Sequence, residues 1–563
     1  MNFNMLQILI GGEAGQGLVT VGDLLARILV KSGYHIHVTQ TYMSRIRGGH
    51  NTFAICVGCE RQTAPREPVN ILVALDADTV RLHRDALVPD NNLIILDEAV
   101  SVEDQNCVYV PFENLAGSRY LNVVALGVVA ALLGLDKTLV GDTVAASFEN
   151  KDDEVSRANR AAVDAAYAWV ETVPSTTNVA LEPVRPDDAP RTVLKGNEAI
   201  ALGALAGGVK FCAFYPMSPA TSIMLNLVRH ADTMGIVVEQ AEDEIAAINM
   251  AVGAAFSGCP SMTATSGGGF ALMTEGVSLA GMTETPVVIV IAQRPGPATG
   301  LPTRTEQGDL EFALHGGHGE FPRAIFAPGT IEACFEHMSR IFALAEASQG
   351  PVILLTEQFL ADSYQDVEPF KIPDTRLLEP VAPTESSESY SRYAITESGV
   401  SFRRIPGAGT ELVAADSDEH DESGHITEDL GVRRKMTDKR LRKMRILLDN
   451  IVAPEYSGDA QADLLLMSWG SPQEAVNEAA VCLREKGKRV GTLHFSQVWP
   501  LDPKLFMDYL CDAKRVVCVE GNATGQFARL IRRETGFEVH GHILRYDGLP
   551  LTPEYITGGL EHE

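Results

Sequence analysis

Three segments constrain this chain more than any others: Tyr215-Pro216-Met217-Ser218-Pro219-Ala220-Thr221, Glu239-Gln240-Ala241-Glu242-Asp243-Glu244 and Thr263-Ala264-Thr265-Ser266-Gly267-Gly268-Gly269. Each stands where an apolar, strand-like run gives way to a helix-like run. The spacing predicts strands at Phe211–Phe214, Ile236–Glu239, Met262–Thr265 and Val287–Ile291, alternating with helices at Glu198–Ala206, Thr221–Thr233 and Ile245–Phe256. Such βα alternation is the signature of a parallel sheet. In an open α/β sheet ligands bind beyond the carboxyl ends of the strands, so a site is expected within residues 211–269.

The chain is too long for one core. Its 563 residues, at about 150 per domain, suggest roughly three or four domains. No apolar run reaches the ~18 residues that span a bilayer, and the N-terminus lacks a charged segment followed by a cleavage site. A soluble, cytoplasmic protein without a membrane partner is expected. The formal charge of -28 argues against nucleic acid, because counterion release needs basic patches. Nine cysteines are scattered, and only Cys56-Val57-Gly58-Cys59 is closely spaced. A single Cys-x-x-Cys whose flanks read as a strand entering a turn is a weak metal signal, so no metal site is assigned.

Residues 1–175 are expected to form the first domain. A strand at Met5–Ile10 leads into Gly11-Gly12-Glu13-Ala14-Gly15-Gln16-Gly17 and an amphipathic helix near Val19–Ser32. Gly12, Gly15 and Gly17 let backbone approach an anion at a helix N-terminus, although the same glycines also suit a tight turn. A second cluster, Ser44-Arg45-Ile46-Arg47-Gly48-Gly49-His50, offers the rigid guanidinium of Arg47 to phosphate oxygens or, equally, to nearby surface acids. Strands at Asn70–Leu75 and Asn92–Leu96 and helices at Val123–Leu133 and Arg160–Val170 continue the alternation.

Pro, Thr and Asp enrichment marks a linker at 176–191. The second α/β domain occupies 192–365. Residues 366–460, rich in Ser, Glu, Asp and Pro, contain Asp416-Ser417-Asp418-Glu419-His420-Asp421-Glu422 and the basic run Arg433–Arg445. They read as a solvated connector rather than a metal site. Residues 461–563 form a third α/β unit with few titratable groups at its turns, which points to packing or assembly.

Glu242, Asp243 and Glu244 stand at a predicted helix start, where caps and negative charge are both favoured. Glu244 opens an almost uncharged helix, at the margin of an apolar environment where burial favours the neutral acid. A carboxyl group in that state suits hydrogen bonding to a heteroaromatic nitrogen and proton relay.

These residues carry a family resemblance. Tyr215-Pro216-Met217-Ser218-Pro219 resembles the Tyr-Pro-Ile-Thr-Pro motif of the 2-oxoacid:ferredoxin oxidoreductases, and Glu242-Asp243-Glu244 resembles their Glu-x-Glu motif. Thr263-Ala264-Thr265-Ser266-Gly267 and Leu272-Met273-x-Glu275 are similar to the next two signatures. Gln293-Arg294-Pro295-Gly296-Pro297-Ala298-Thr299-Gly300-Leu301-Pro302-Thr303 with Gln307-Gly308-Asp309-Leu310 is similar to the 2-oxoglutarate-type α subunit. Gly12, Gly15-Gln16-Gly17 and Arg47-Gly48-Gly49 resemble the γ domain, fused N-terminally.

The resemblance implies an α/β fold of three successive domains with mainly parallel sheets. The central one would bind the pyrimidine of thiamine diphosphate and the last would be transketolase C-terminal-like. It implies oxidative decarboxylation of 2-oxoglutarate to succinyl-CoA, with pyruvate, a branched-chain or another 2-oxoacid as alternatives. A non-catalytic nucleotide-binding interaction subunit is the alternative of another class. Glu244 would serve the pyrimidine, with Tyr215, Pro216, Glu242, Thr265, Ser266 and Gly267 around the cofactor. Glu244 is preferred to Glu242 because its nine-residue spacing to Gly253 matches the family's second glutamate. Ser218, where the family has threonine, would meet the substrate carboxylate, and Arg294 and Arg304 a distal one. Coenzyme A is implied for the first domain, near Gly12, Gly15, Gly17 and Arg47. The sequence contains neither Gly-Asp-Gly with an Asn pair nor a cysteine set for a cluster. By resemblance Mg2+, the diphosphate and a [4Fe-4S] cluster belong to a β subunit. An α2β2 complex passing electrons to ferredoxin is then expected.

Overall fold

Strand Met5–Glu13 reads MLQILIGGE and is buried along almost its whole length, so the sheet it centres must be covered on both faces. The computed structural model describes residues 2–13, 15–43, 49–89, 91–100, 102, 106–148, 153–173, 180–184, 190–372, 390–459 and 461–562. They fall into two units: Met1–Leu194 with Asp362–Pro369 and Thr552–Glu554, and Lys195–Ala361 with Phe370–Leu551 and Tyr555–Glu563.

The sheet of the first unit has eight strands. Their order is Cys107–Val110, Leu93–Asp97, Ile71–Ala74, Met5–Glu13, His50–Gly58, His35–Thr41, Tyr364–Val367 and Thr192–Lys195. The first four are parallel. His50–Gly58, His35–Thr41 and Tyr364–Val367 join antiparallel. Side chains alternate across the pleat: Leu6, Ile8 and Ile10 pack with helices Leu18–Lys31 and Leu121–Leu132, whereas Leu9 belongs to the opposite cluster with Leu72 and Val80. Cys56 lies within a strand of this sheet and Cys59 just after it; their thiols donate to Gln62 Oε1 and to the Glu182 carbonyl.

The second unit carries a seven-stranded sheet, ordered Val237–Gln240, Phe211–Phe214, Ser261–Thr265, Val287–Gln293, Pro351–Glu357, Ala324–Phe326 and Gln497–Trp499. All pairings are parallel except the last, where Gln497–Trp499 adds antiparallel from the C-terminal segment. A five-stranded sheet follows, Glu455–Gly458, Val490–Phe495, Leu464–Trp469, Arg515–Glu520 and Gly541–Leu544, antiparallel only at its first pair. One apolar cluster runs through both sheets, from Ile289 and Phe270 to Trp469 and Phe527.

The solvated character expected of 366–460 does not hold throughout residues 390–459. Arg392, Tyr393, Ser401, His420 and Lys439 are buried there. Lys439 and Lys443 both pair with the buried Glu284, at 2.7 and 2.8 Å. Glu419, from the acidic stretch, pairs with Arg433 and Arg440 of helix Leu430–Arg442. A run of like charges reads as solvated until its counter-charges, here up to 155 residues away, are known. Tyr364–Val367, expected at the edge of the central domain, instead adds to the first sheet beside His35–Thr41.

Candidate functional site

The Tyr-Pro turn leaves strand Phe211–Phe214 with Tyr215 exposed and enters helix Thr221–Met234 through a cis Ser218–Pro219 bond. Two donors hold the backbone on either side of that bond. Arg294 Nη1 donates to the Ser218 carbonyl at 2.7 Å, and the buried Asn197 Nδ2 donates to the Pro219 carbonyl at 2.9 Å. The Ser218 side chain stands exposed at the strand end.

The acidic turn separates its three carboxylates by function. Glu242 faces solvent. Asp243 caps helix Glu244–Phe256, accepting from the Ala246 amide at 2.7 Å. Glu244, in the first helical turn, is only 3 % exposed, and its Oε1 has no hydrogen-bond partner among the described residues. Thr265 Oγ1 and Ser266 Oγ, at the start of helix Gly267–Met282, are buried and unpaired in the same way. Gly269 lets the two helix starts approach: a methyl group there would stand 2.7 Å from Glu244 Oε1 and would overlap Thr265 Oγ1.

Leaving a buried polar atom unpaired costs ~1–3 kcal/mol, so a cluster of them is uncommon without a ligand. Two such oxygens, Glu244 Oε1 and Thr265 Oγ1, meeting at Gly269, with the buried Ser266 hydroxyl next to Thr265 in the chain, fit the polar edge of a heteroaromatic ring. The residues present therefore suit thiamine diphosphate.

Segment 293–310 closes the same strand ends, held by glutamines. Gln293 Oε1 accepts from the Asp309 amide, and Gln526 Nε2 donates to the Gly308 carbonyl. Gln307 Nε2 donates to the Trp469 carbonyl while its Oε1 accepts from the Gly521 amide. Asn522 and Gly525-Gln526 thus serve this scaffold, with Asn522 Oδ1 accepting three backbone amides of its own turn.

The two arginines that are candidates for a distal carboxylate stand in different surroundings. Arg294 is engaged by the Ser218 carbonyl, whereas Arg304 lies beside Gly548 and forms no ion pair among the described residues. Nor does Glu311 engage either one, since it pairs with Arg529 at 3.1 Å.

Two acids here escaped the sequence reading. Asp309 packs its carboxyl against Gly267, and burial lifts it to about 6 although Arg294 pulls it down. Glu357 ends strand Pro351–Glu357 with Oε1 unpaired; burial lifts it to about 7 against the pull of a hydrogen bond with Ser471. Neither is marked out by its neighbours in the sequence, Asp309 lying between Glu306 and Glu311, and the burial of each comes from distant segments.

In the first unit Gly15 and Gly17 have φ of 100° and 75°, and Gly17 caps helix Leu18–Lys31 in the left-handed conformation. A methyl on Gly12 would meet Gln16 Oε1. A cavity of about 310 Å³ opens on this loop, lined by Gly15, Gly17, Asp97, Arg119 and Asn122 among others. Arg47 lies outside the described residues.

Comparison with known proteins identifies the family. Residues 202–439 match the family described as pyruvate flavodoxin/ferredoxin oxidoreductase, thiamine diP-bdg, and residues 7–169 match pyruvate ferredoxin/flavodoxin oxidoreductase. The chain is 33% identical to the 2-oxoacid:ferredoxin oxidoreductase subunit alpha of Sulfolobus sp, over 99% of this chain and 96% of that one. It is 33% identical to the 2-oxoglutarate oxidoreductase subunit KorA of Mycobacterium tuberculosis, over 74% of this chain and 64% of that one. A solved 2-oxoglutarate:ferredoxin oxidoreductase from Magnetococcus marinus, with 2-oxoglutarate, coenzyme A and succinyl-CoA bound, superposes with a TM-score of 0.92 at 30% identity, covering 100% of both chains. The chain belongs to the family of 2-oxoacid:ferredoxin oxidoreductase alpha subunits.

Proposed function

We propose that this alpha subunit takes part in the reversible oxidative decarboxylation of 2-oxoglutarate to succinyl-CoA, passing electrons to ferredoxin. The observation that carries this reading is the buried, unpaired Glu244 Oε1 set against Thr265 and Gly269. The relatives named for 2-oxoglutarate support the substrate.

Thiamine diphosphate would be held here through its pyrimidine, by Glu244 with Thr265, Ser266, Gly267, Tyr215, Pro216 and Glu242 around it. When bound, the cofactor supplies an electron sink that lets carbon dioxide leave the oxoacid. Glu244 would meet the ring nitrogen through its unpaired Oε1, in a position that burial closes to water. The exposed Ser218 hydroxyl donates to the substrate carboxylate, and Arg304 receives the distal one. The Gly15–Gly17 loop and its cavity receive the phosphates of coenzyme A, with Gly12 supporting the turn.

A β subunit supplies Mg2+, the diphosphate site and a [4Fe-4S] cluster, in an α2β2 complex. Among the described residues no helix is long and apolar enough to cross a membrane. A cytoplasmic location suits a complex that meets soluble ferredoxin.

The test is Glu244→Gln in the complex with its β subunit. The expected result is a loss of oxoacid turnover of about 10²-fold or more, the scale of a missing general acid. A fully active E244Q complex would establish the non-catalytic alternative instead. Comparing kcat/KM for 2-oxoglutarate, pyruvate and branched-chain oxoacids decides the substrate.

A further inference from the structure

Asn197 lies in the first turn of helix Gly196–Ala206 and is wholly buried. Both hydrogens of its Nδ2 go to one neighbouring turn: the Pro219 carbonyl accepts at 2.9 Å and Ser222 Oγ at 2.7 Å. Its Oδ1 has no hydrogen-bond partner among the described residues. A buried amide with its acceptor end unpaired is a costly way to fill space, because an apolar side chain of similar shape would leave no such atom unsatisfied. The asymmetry points to the donor end as the reason for an asparagine here.

The element that carries Asn197 is itself pinned. The Lys195 amide donates to Glu198 Oε2 at 3.1 Å, and a methyl group on Gly196 would stand 2.2 Å from the Leu360 carbonyl, so the helix start lies hard against the segment after strand Pro351–Glu357. Helix Thr221–Met234, by contrast, begins at Ala220 with no side-chain cap of its own. Its entry is held from outside, by Asn197 on the Pro219 carbonyl and by Arg294 on the Ser218 carbonyl at 2.7 Å. Two side chains from separate elements thus fix successive carbonyls of the turn, and the exposed Ser218 sits at their edge.

We infer that Asn197 is a positioning residue for the oxoacid: by holding the Pro219 carbonyl it completes, with Arg294, a clamp that places the Ser218 hydroxyl where the substrate carboxylate meets it. The inference rests on the substrate role proposed for Ser218. A serine hydroxyl can rotate about its own bond, so what the fold can set is the place of the backbone that carries it, and an ångström there matters to a group that must meet a bound partner. The second bond, to Ser222 Oγ, ties the same amide to helix Thr221–Met234 and belongs to helix packing.

The experiment uses the αβ complex and follows kcat and KM for 2-oxoglutarate and pyruvate, together with the affinity for thiamine diphosphate. Asn197→Leu, which keeps roughly the side-chain volume and removes both donors, is expected to raise KM about tenfold for both oxoacids, with kcat little changed, the pattern of lost uniform binding. Cofactor affinity should stay at the wild-type value. Ser222→Ala, which removes only the acceptor on the helix side, should leave KM unchanged. In a Ser218→Ala background the N197L penalty should disappear, because the hydroxyl being placed is gone, whereas a general loosening of the fold would add to the loss. Asn197→Ala, which introduces no bulk, gives the same comparison should the N197L complex fail to assemble. An N197L or N197A complex with wild-type KM overturns the inference. So does a penalty that persists undiminished in S218A, one that S222A reproduces, or failure of both Asn197 variants to assemble, which would assign the residue to folding. A wild-type complex inactive on every 2-oxoacid would instead sink the proposed function itself.

Discussion

Glu244 and Gly269 meet where two helices begin: a methyl group on Gly269 would stand 2.7 Å from Glu244 Oε1. The glycine is thus required by the position of the acid. Gly269→Ala must push Glu244 or Thr265 aside, so the complex is expected to lose thiamine diphosphate affinity by about tenfold or more, as when a positioning contact shifts by an ångström. Gly253, in helix Glu244–Phe256, has open space around its Cα. Gly253→Ala should leave cofactor affinity unchanged and stabilise the helix by ~0.5–1 kcal/mol. Cofactor titration and thermal unfolding of the two variants side by side check the contrast.

Arg294 and Arg304 should differ in what their loss does. Arg294 holds the Ser218 backbone; if Ser218 meets the carboxylate common to all 2-oxoacids, as proposed, Arg294→Ala should weaken 2-oxoglutarate and pyruvate alike. Arg304, without an ion pair among the described residues, remains available to a second carboxylate. Arg304→Ala is expected to cut the preference for 2-oxoglutarate over pyruvate by about 10- to 100-fold, the value of one charge-assisted contact. The ratio of kcat/KM values for the two oxoacids measures it, and an unchanged ratio in R304A removes that residue from the specificity site.

What the sequence made legible was local. Strand ends at Phe211–Phe214 and Thr265, and the helix start at Glu244, follow from apolar runs broken by Pro, Asp and Gly, and the structure puts them within a residue or two of the expected places. The same local logic distinguishes Asp243 as the cap from Glu244 as the buried acid, once the helix register is known. Asp309 and Glu357 were not legible. Their burial depends on Gly267 and on the Ser471 turn, which lie more than 40 residues away in the chain. The pairing of Arg294 with a backbone carbonyl was equally hidden, because a carbonyl leaves no mark in the pattern of charges. The 390–459 segment shows the same limit, its charges being read as solvated until Glu284 appears beneath Lys439 and Lys443.

That buried triad makes the segment's attachment sensitive to acid. Burial raises Glu284, but Lys443 and Lys439 outweigh it and hold the carboxyl at about 2. The folded value thus lies below the unfolded one, so the unfolded chain binds more protons and the stabilisation is lost as pH falls from about 4.5 toward 2. Lys439→Met removes one partner and leaves a buried charge undercompensated, at a cost of ~3–5 kcal/mol. Urea unfolding of the wild-type and K439M chains at neutral pH measures the difference. A K439M chain as stable as the wild type would mean that Lys443 alone neutralises Glu284.

The glycine loop of the first unit allows a separate test of coenzyme A binding. Gly17 combines φ of 75° with close approach: a methyl group there would stand 2.5 Å from Asn122 Nδ2, at the rim of the cavity that Arg119 also lines. Gly17→Ala strains the helix start and pushes Asn122 into that space, whereas Arg119→Ala removes a cation and its contact with the Tyr120 ring. If the cavity receives the phosphates, both variants should raise KM for coenzyme A, R119A by about tenfold, the value of one charge-assisted contact. KM for the oxoacid should not change in R119A. Added salt should narrow the gap between R119A and wild type, because an exposed arginine acts through a screened charge. An R119A complex with wild-type KM for coenzyme A at low salt would place the phosphates elsewhere.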